Sequence, residues 1–363
     1  MTKLQTCLNY LEGIPNDTSV CNLSSLLNKT FSKEHRKILV LTKDHLSSES
    51  LFLPSSQRGR TVVDQIIATA LLYPKFEFIV VHNCLNIPDV VSNIKFVCWA
   101  PEWIAQTTER LSKNYSNITP QSEKIFLESY FWISLNNNRR VHRYLTSMFL
   151  LGSNVEDVGL LRLDPTEILR HESWESYLSW WKYNERPEIF DVEPFYPVLK
   201  KGFDKIKSLK GFETRAYTNT STPKNNSENF DQSLRNLYAN TAVEIVNETI
   251  WFPDQGGIVS EKYLNSVYGF NFPIIIGVCN TVACLRELGF DVFDDIIDHS
   301  YDTVASPTIR LISSLNLNLH LLRNRQATLD AWTQCQSRMH KNVELANSLE
   351  IDYKITSEKL SSI

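Results

Sequence analysis

The stretch that decides the fold is A-V-E-I-V-N-E-T-I-W-F-P-D-Q-G-G-I-V-S-E-K-Y-L-N-S-V-Y-G-F-N-F-P-I-I-I-G, residues 242–277. It predicts an apolar strand that ends near Glu248, a glycine-containing loop, a short helix starting at Ser260-Glu261-Lys262, and a second strand. Charged groups at such a strand-to-helix junction lie where open α/β sheets bind their ligands. The helix start offers N–H groups and the Lys262 ammonium to a phosphate, and the carboxylates of Glu248 and Glu261 suit sugar or ribose hydroxyls. The pattern therefore predicts a nucleotide-sugar pocket.

The order of these motifs resembles the donor-binding region of α1,3-fucosyltransferases, in which E-N-S is followed by T-E-K, a helix and V-P-V. It also resembles a group of phage and cyanobacterial glycosyltransferase-like proteins that share a longer series of motifs. In this chain those motifs are Glu248-Thr249, Ser260-Glu261-Lys262, Pro273-Ile274-Ile275, L-R-E-L-G-F at 285–290 and Ser300-Tyr301-Asp302. The resemblance covers the last third of the chain and one earlier arginine-rich run. Here Asn247 precedes the first Glu instead of following it, and the loop before S-E-K is longer.

The resemblance implies a role for each donor-side residue. Lys262 would contact the diphosphate, Glu261 the ribose, and Glu248 would lie under the donor sugar or the ribose. Ser260 is a natural N-cap for the helix that follows it. The alternative for the Glu261-Lys262 pair is an ordinary charged pair at a helix start. Ser300-Tyr301-Asp302 would close the donor site by resemblance, or it is only a helix cap.

A second motif is N-N-N-R-R-V-H-R, residues 136–143. The asparagines are expected to cap a helix, and its first turn then carries Arg139, Arg140, His142 and Arg143. Because cations at a helix N-terminus oppose the macrodipole, the pattern predicts an anion held between these side chains and the N–H groups. The run also resembles the N-x-R-x-H-R run of the same phage and cyanobacterial group. The alternative is a solvated basic helix start paired with the acidic C-terminal half.

The length and composition favour an intracellular protein with two domains. A chain of 363 residues with 42% apolar content suits two α/β domains, each with its own core. Its seven cysteines form no C-x-x-C pair and are expected to be small buried hydrophobes in a reducing compartment. No stretch approaches the ~20 apolar residues of a membrane span, and residues 1–10 do not have the pattern of a signal peptide. We therefore expect a cytoplasmic protein without a membrane span, in the host cytoplasm if it is phage-encoded.

The charge is unevenly distributed along the chain, although the net charge is only −4. Residues 1–150 hold 16 Lys and Arg against 12 Asp and Glu, whereas the remainder holds 21 against 29. Such a division fits two domains that face one cleft, with an anionic ligand drawn toward the basic side. This distribution is not a nucleic-acid-binding signature, because such a domain would normally be strongly basic overall.

Strand-like and helical runs alternate, which predicts an α/β protein with parallel sheets. Strands are expected at 37–42, 76–81, 94–99, 125–135, 243–247 and 272–277, with a helix over 62–73 and long helices over 309–350. The predicted domains are an N-terminal Rossmann-like acceptor-side domain (1–150), an aromatic-rich helical region and linker (151–230), and a C-terminal Rossmann-like donor-binding domain with terminal helices (231–363). Two Rossmann-like domains that face a cleft, with a helical C-terminal segment, are the plan of GT-B glycosyltransferases.

Two further segments favour structural roles. The aromatic segment 174–196 follows helical spacing at Trp174, Leu178 and Trp181, which favours a packed helical hairpin over a stacking platform for an acceptor. The acidic cluster of Asp294-Asp295 and Asp298 is expected to be a solvated turn. No D-x-D run stands in a strand-loop context, so we expect no metal and no cofactor beyond the sugar donor.

An inverting transfer needs a base that deprotonates the acceptor hydroxyl. Asp44 and Glu102, each directly after a predicted strand of the N-terminal half, are the candidates. Each carboxylate is otherwise an ordinary surface group. In this prediction, Lys262 and the arginines stabilise the diphosphate leaving group in place of a metal ion.

These patterns predict a metal-independent and inverting glycosyltransferase that moves a sugar from a nucleotide-diphosphate donor to a hydroxyl acceptor. The low glycine count and the Asn-, Ser-, Lys- and Ile-rich usage are typical of a phage or another AT-rich genome. One acceptor class is then hydroxymethylated bases in DNA, modified by a phage enzyme, which the net charge of −4 slightly disfavours and the basic N-terminal half still allows. A cell-surface glycan or a small molecule is the other acceptor class. The alternatives are a non-catalytic interaction protein on a degenerate GT-B scaffold, and a nucleotide-binding enzyme of another reaction type.

Overall fold

The structure is a computed structural model, and its described residues form an α/β protein, as the alternation of strands and helices predicted. The described residues are 18–22, 37–41, 67–68, 70–75, 77–82, 93–98, 111–112, 131–136, 140–184, 193–208, 237–238, 240–248 and 261–348. Both sheets are parallel throughout.

Residue contacts divide the chain into two compact units. One comprises residues 1–108, 254–258 and 346–363, and the other comprises 109–253 and 259–345. The predicted boundary at residue 150 differs from this division. Residues 132–152 belong to the second unit, because their strand is hydrogen-bonded to the later strands of that unit.

The first unit contains a sheet of four strands in sequence order. The strands are β1 (Thr18–Asn22), β2 (Lys37–Leu41), β3 (Glu77–His82) and β4 (Ile94–Cys98). The predicted strands at 37–42, 76–81 and 94–99 are confirmed, and the described residues 67–68 and 70–72 of the predicted helix are helical. Strand β1 was not predicted, because its sequence T-S-V-C-N is mostly polar and lies in a polar segment.

The second unit contains a sheet in the order β6-β5-β7-β8. The strands are β5 (Trp132–Asn136), β6 (Gly159–Leu163), β7 (Val243–Asn247) and β8 (Phe272–Ile276). Strands β7 and β8 lie within the predicted runs, and β5 overlaps the end of the predicted run 125–135, of which residues 125–130 lie outside the described residues. Strand β6 was missed, because its short G-L-L-R-L run lies inside a region that the aromatic residues marked as helical.

The strand order reverses between β5 and β7. From β5 the chain passes through helix α1 (Val141–Gly152) to β6 on one side, whereas β7 lies on the other side of β5. From β7 the chain continues outward through helix α5 (Glu261–Tyr268) to β8. This point is a topological switch, and in open α/β sheets ligands bind in the crevice outside the carboxyl ends of the two strands that flank it.

The remaining described helices complete the second half of the chain. They are α2 (Thr166–Arg170), α3 (Trp174–Asn184), α4 (Tyr196–Ser208), α6 (Thr281–Glu287), α7 (Pro307–Leu317), α8 (Leu319–Arg323), α9 (Arg325–Gln334) and α10 (Gln336–Ser348). The predicted helical C-terminal segment is confirmed as four consecutive helices. None of the helices that the structure describes combines the length and the apolar character needed to cross a bilayer.

Helix α1 is the centre of the second unit, and all of its residues are buried. It packs against β5, β6, α4 and α7. Two glycines allow α4 to approach its backbone closely: a Cβ on Gly202 would lie 1.8 Å from the carbonyl oxygen of Met148, and a Cβ on Gly152 would lie 1.9 Å from that of Val198. The position of α1 is therefore fixed by backbone-to-backbone packing at its C-terminal half.

The aromatic segment is a packed layer, as its helical spacing favoured. Trp174, Tyr177 and Trp181 on α3 are at most 1% exposed. The Trp174 and Tyr177 rings lie 5.6 and 5.7 Å from the ring of Phe203 on α4. These side chains are committed to the core that holds α4 against α1.

We predict that Gly202→Ala destabilises the protein by about 1–3 kcal/mol, because the added methyl group forces α4 away from Met148. Helix propensity alone would favour alanine by about 1 kcal/mol. Urea denaturation of the variant, with Lys201→Ala at the exposed neighbouring position as control, measures the effect. Equal or greater stability of Gly202→Ala would contradict the close approach of the two helices.

Candidate functional site

The candidate site lies at the carboxyl ends of β5 and β7, on the two sides of the topological switch. The arginine-rich run follows β5 and enters α1, and Glu248 follows β7 directly. The two motifs that the sequence singled out are more than 100 residues apart, and the sheet brings them together. Both belong to the second unit. The arginines and Lys262 therefore do not come from two different domains, as the predicted boundaries had implied.

The first turn of α1 concentrates basic side chains. Arg140 is the N-cap residue, without a capping side-chain hydrogen bond, and the first turn holds no acidic residue. The expected asparagine cap is wrong at this position, and Asn136 is the last residue of β5. His142 and Arg143 are buried, with 1% and 3% of their surface exposed. Basic groups placed against the positive end of a helix favour an anion beside them.

His142 connects α1 to the end of β7. Its Nε2 lies 2.9 Å from the main-chain oxygen of Glu248. Since a carbonyl oxygen only accepts, Nε2 carries the proton and donates. Burial lowers the pKa of His142 well below its usual value, and repulsion from Arg143, Arg140 and Lys262 lowers this pKa further. His142 is therefore neutral at neutral pH.

Three cations from two different helices contribute to this electrostatic repulsion. Arg140 and Arg143 come from α1, and Lys262 comes from the first turn of α5, yet all three act on the His142 imidazole. Lys262 also lowers the pKa of the buried Glu244 on β7. The basic residues of the two motifs thus lie within electrostatic reach of the same buried imidazole.

A buried polar layer fills the space between β5 and β7 below these cations. Main-chain pairing of the two strands is registered only at Trp132–Val243 and Ile133–Glu244, whereas β7 pairs with β8 along its whole length. Beyond these two residue pairs, side-chain hydrogen bonds connect β5 to β7. The Asn247 amide on β7 donates to Ser134 Oγ on β5 at 3.3 Å, and Thr146 Oγ1 on α1 donates to Asn247 Oδ1 at 2.8 Å. The Asn136 amide donates to the same Ser134 Oγ at 3.1 Å and to Ser147 Oγ at 3.3 Å.

The opposite face of β7 carries a second buried group that the sequence analysis missed. Glu244 is 2% exposed, and its Oε1 accepts a hydrogen bond of 2.8 Å from the Tyr238 hydroxyl. Burial raises the pKa of Glu244 to about 8, against the lowering effect of the Tyr238 and Ser266 hydroxyls. A single glutamate within the apolar run A-V-E-I-V-N gives no local indication that its carboxyl is buried. Only the packing of α5 over it shows that it is buried.

Several predicted site residues lie outside the described residues. These are the candidate bases Asp44 and Glu102, Arg139 of the arginine-rich run, and the expected N-cap Ser260. Glu261 is the first residue of α5, and its side chain is not described. Glu248 and Lys262 are described and lie at the switch point, with Glu248 at 1% exposure.

The acidic cluster after α6 is an ion-paired structural element. Arg286 donates to Asp294 at 2.9 and 2.5 Å. Arg338 donates to Asp291 and Asp295 at distances of 2.5 to 2.9 Å. The expected solvated turn is confirmed, because the side chains of Asp294 and Asp295 are 56% and 62% exposed, and Arg286 and Arg338 add ion pairs to it. In the part of the chain that the structure describes, no group of three His, Cys, Asp or Glu side chains could hold a metal ion.

The Ser300-Tyr301-Asp302 run is a helix cap, which was one of the two interpretations of this motif. The Asp302 carboxylate accepts hydrogen bonds from the main-chain N–H groups of Val282 and Ala283, at 3.1 and 3.0 Å. The Tyr301 hydroxyl is buried and accepts from the N–H of Ile275 on β8. The motif thus fixes α6 against the end of the sheet.

Comparisons of the chain with protein-family models, curated protein sequences and solved structures find no match.

We predict that Glu244 makes stability fall as the pH rises. Its pKa is about 8 in the folded state and near 4.5 when unfolded, so the folded state binds the proton more tightly. The resulting stability is fully present below pH 4.5 and is lost as the pH rises toward 8, with a slope on the order of 1 kcal/mol per pH unit. Glu244→Gln should remove this slope in urea denaturation between pH 6.5 and 8, above the range in which the lowered pKa of the buried His142 gives the opposite pH dependence.

The matched control is Glu287→Gln on α6, where the glutamate is exposed. This variant should retain the pH dependence of the wild-type protein. A wild-type slope that Glu244→Gln leaves unchanged would show that Glu244 is ionised in the folded state throughout this range.

Proposed function

We propose that the chain is a glycosyltransferase that transfers a sugar from a nucleotide-diphosphate donor to a hydroxyl acceptor. The observation that carries this proposal is the placement of Arg140, Arg143 and Lys262 at the starts of the helices that follow β5 and β7, on the two sides of the topological switch, where all three charges act on His142. A diphosphate is the common biological ligand that such a group of cations suits best, because its negative charge is spread over two phosphoryl groups.

The chemistry follows from the leaving group. When the glycosidic bond of the donor breaks, negative charge develops on the diphosphate, and cations that are already in place stabilise the transition state directly. Lys262 and the two arginines would do this in place of a divalent ion. Because His142 is neutral and donates to Glu248, it orients the site without adding a charge. By resemblance, Glu248 and Glu261 would contact the sugar or ribose hydroxyls.

The proposed architecture is GT-B-like, with two Rossmann-like domains. The described parallel sheets, one in each unit, support this architecture, and the donor site would belong to the second unit. The first unit would then bind the acceptor and supply the base, for which Asp44 and Glu102 remain the candidates. An inverting mechanism is part of the proposal, since one base is enough for a direct displacement.

The acceptor is proposed to be a hydroxyl on DNA that carries hydroxymethylated bases, with a glycan or a small molecule as the other class. Incubation of the enzyme and a radiolabelled sugar donor with hydroxymethylated duplex DNA, or with glycan acceptors, distinguishes the two classes by the labelled product. A protein that binds the donor but neither transfers nor hydrolyses the sugar would instead be a non-catalytic interaction protein.

We predict that a nucleoside diphosphate binds the wild-type protein and that Lys262→Ala weakens this binding about 10- to 100-fold, the range expected for one lost charged hydrogen bond. Isothermal titration calorimetry with UDP and GDP measures the effect. Arg140→Ala should act in the same direction, and EDTA should leave the wild-type affinity unchanged.

Lys201→Ala is the control, because Lys201 is exposed on α4, which packs against the C-terminal half of α1. This variant should bind like the wild-type protein. Equal losses in Lys201→Ala and Lys262→Ala would mean that only the overall charge matters. Absence of binding at millimolar UDP and GDP would overturn the proposed function.

A further inference from the structure

Two hydrogen bonds connect one face of α1 to Asn247 and Glu248 at the end of β7. His142 Nε2 lies 2.9 Å from Glu248 O, and Thr146 Oγ1 lies 2.8 Å from Asn247 Oδ1. His142 and Thr146 are four residues apart and therefore share a helix face. Their acceptors are consecutive residues, separated from α1 by about a hundred positions in the sequence. The helix start and the strand end are thus held at two points.

The Thr146 hydroxyl also contacts the turn of α1 that carries His142. Its oxygen lies 2.9 Å from the main-chain oxygen of His142 and 2.8 Å from Asn247 Oδ1, so these two acceptors share its single proton. Thr146 is fully buried, and so is its partner Asn247 at 2% exposure. The hydroxyl therefore joins the basic turn of α1 to β7 through one atom.

This contact lies where the sheet itself provides little connection. Beyond Ile133 and Glu244 no main-chain pairing of β5 with β7 is registered among the described residues. The relative position of the two ligand-binding elements in this part of the sheet then depends on side chains. A displacement of about 1 Å between groups that share one ligand is enough to reduce binding or catalysis strongly.

We propose that Thr146 is a positioning residue that sets the spacing between the arginine-bearing start of α1 and the Glu248–Lys262 side of the crevice, so that both phosphoryl groups of one diphosphate are bound at once. The proposal rests on the proposed function and names how the site selects its ligand. A diphosphate bridges the two sides, whereas a monophosphate needs only one of them. Thr146 would thus determine the preference for diphosphate over monophosphate without touching either ligand.

The test compares Thr146→Val, Thr146→Ser and the wild-type protein by calorimetry with UDP, UMP, GDP and GMP. Thr146→Val keeps the shape of the side chain and removes the hydroxyl. We expect it to weaken diphosphate binding about tenfold and monophosphate binding much less, so that the ratio of the two affinities falls. Thr146→Ser retains the hydroxyl and should restore the wild-type ratio.

Thr328→Val is the matched control, because Thr328 is equally buried and its hydroxyl donates to the Leu321 carbonyl at 2.9 Å, away from the crevice. It should lower stability but leave the ratio unchanged. A Thr146→Val protein that folds and keeps the wild-type ratio overturns the proposal, as does a ratio that serine does not restore. If the valine variant does not fold, Thr146→Ala takes its place.

Hydrogen exchange separates this proposal from the proposed function. If the wild-type protein binds neither UDP nor GDP, the proposed function fails. The role of Thr146 in spacing α1 and β7 is then tested by hydrogen exchange of the protein without ligand. Amide exchange over residues 243–248 should be faster in Thr146→Val than in Thr328→Val, because the end of β7 has lost one of its two ties to α1. Equal exchange in the two variants would overturn the role of Thr146.

Discussion

The structure of the second unit depends on how β5 and β7 stay together where their main-chain pairing stops. Parallel strands that flank a topological switch have no helix crossing between them, and here only two residue pairs are registered. The carboxyl ends are then joined by the buried hydroxyl and amide groups of Ser134, Asn247 and Thr146. Buried polar groups of this kind stabilise a structure only when their partners are in place. The layer therefore fixes one geometry of the crevice and excludes others.

Backbone packing holds the opposite end of the same helix. The C-terminal half of α1 is fixed by glycine contacts with α4, and its N-terminal half is fixed by the polar layer and by His142. A helix held at both ends can present charged groups at its start with little motion. This explains how Arg143 is kept at 3% exposure in a turn that also bears Arg140, an arrangement that opposes the helix macrodipole.

The sequence predicted the individual strands and helices better than the contacts between them. Apolar runs identified β2, β3, β4, β7 and β8, because buried parallel strands are nearly continuous in apolar residues. The order of motifs also located Glu248, Lys262 and the basic turn of α1. Strands β1 and β6 were not predicted, because each is short and weakly apolar. The predicted domain boundary differs from the division in the structure, because nothing local in residues 132–152 indicates pairing with a strand a hundred residues later. The burial of Glu244 and the role of Thr146 depend on such tertiary contacts as well.

Two buried groups whose pKa values respond to these cations, His142 and Glu244, are both uncharged near neutral pH. Burial and positive neighbours keep His142 deprotonated, and burial keeps Glu244 protonated up to about pH 8. Neither group therefore adds a charge beside Arg140, Arg143 and Lys262. The charge of these two groups changes little between pH 6 and pH 7. Over that range the second ionisation of a phosphate, which has a pKa near 6, is then expected to change the affinity for a phosphate ligand. A terminal phosphate gains charge in this range and a sugar-substituted diphosphate does not, so the crevice can distinguish product from donor by charge alone.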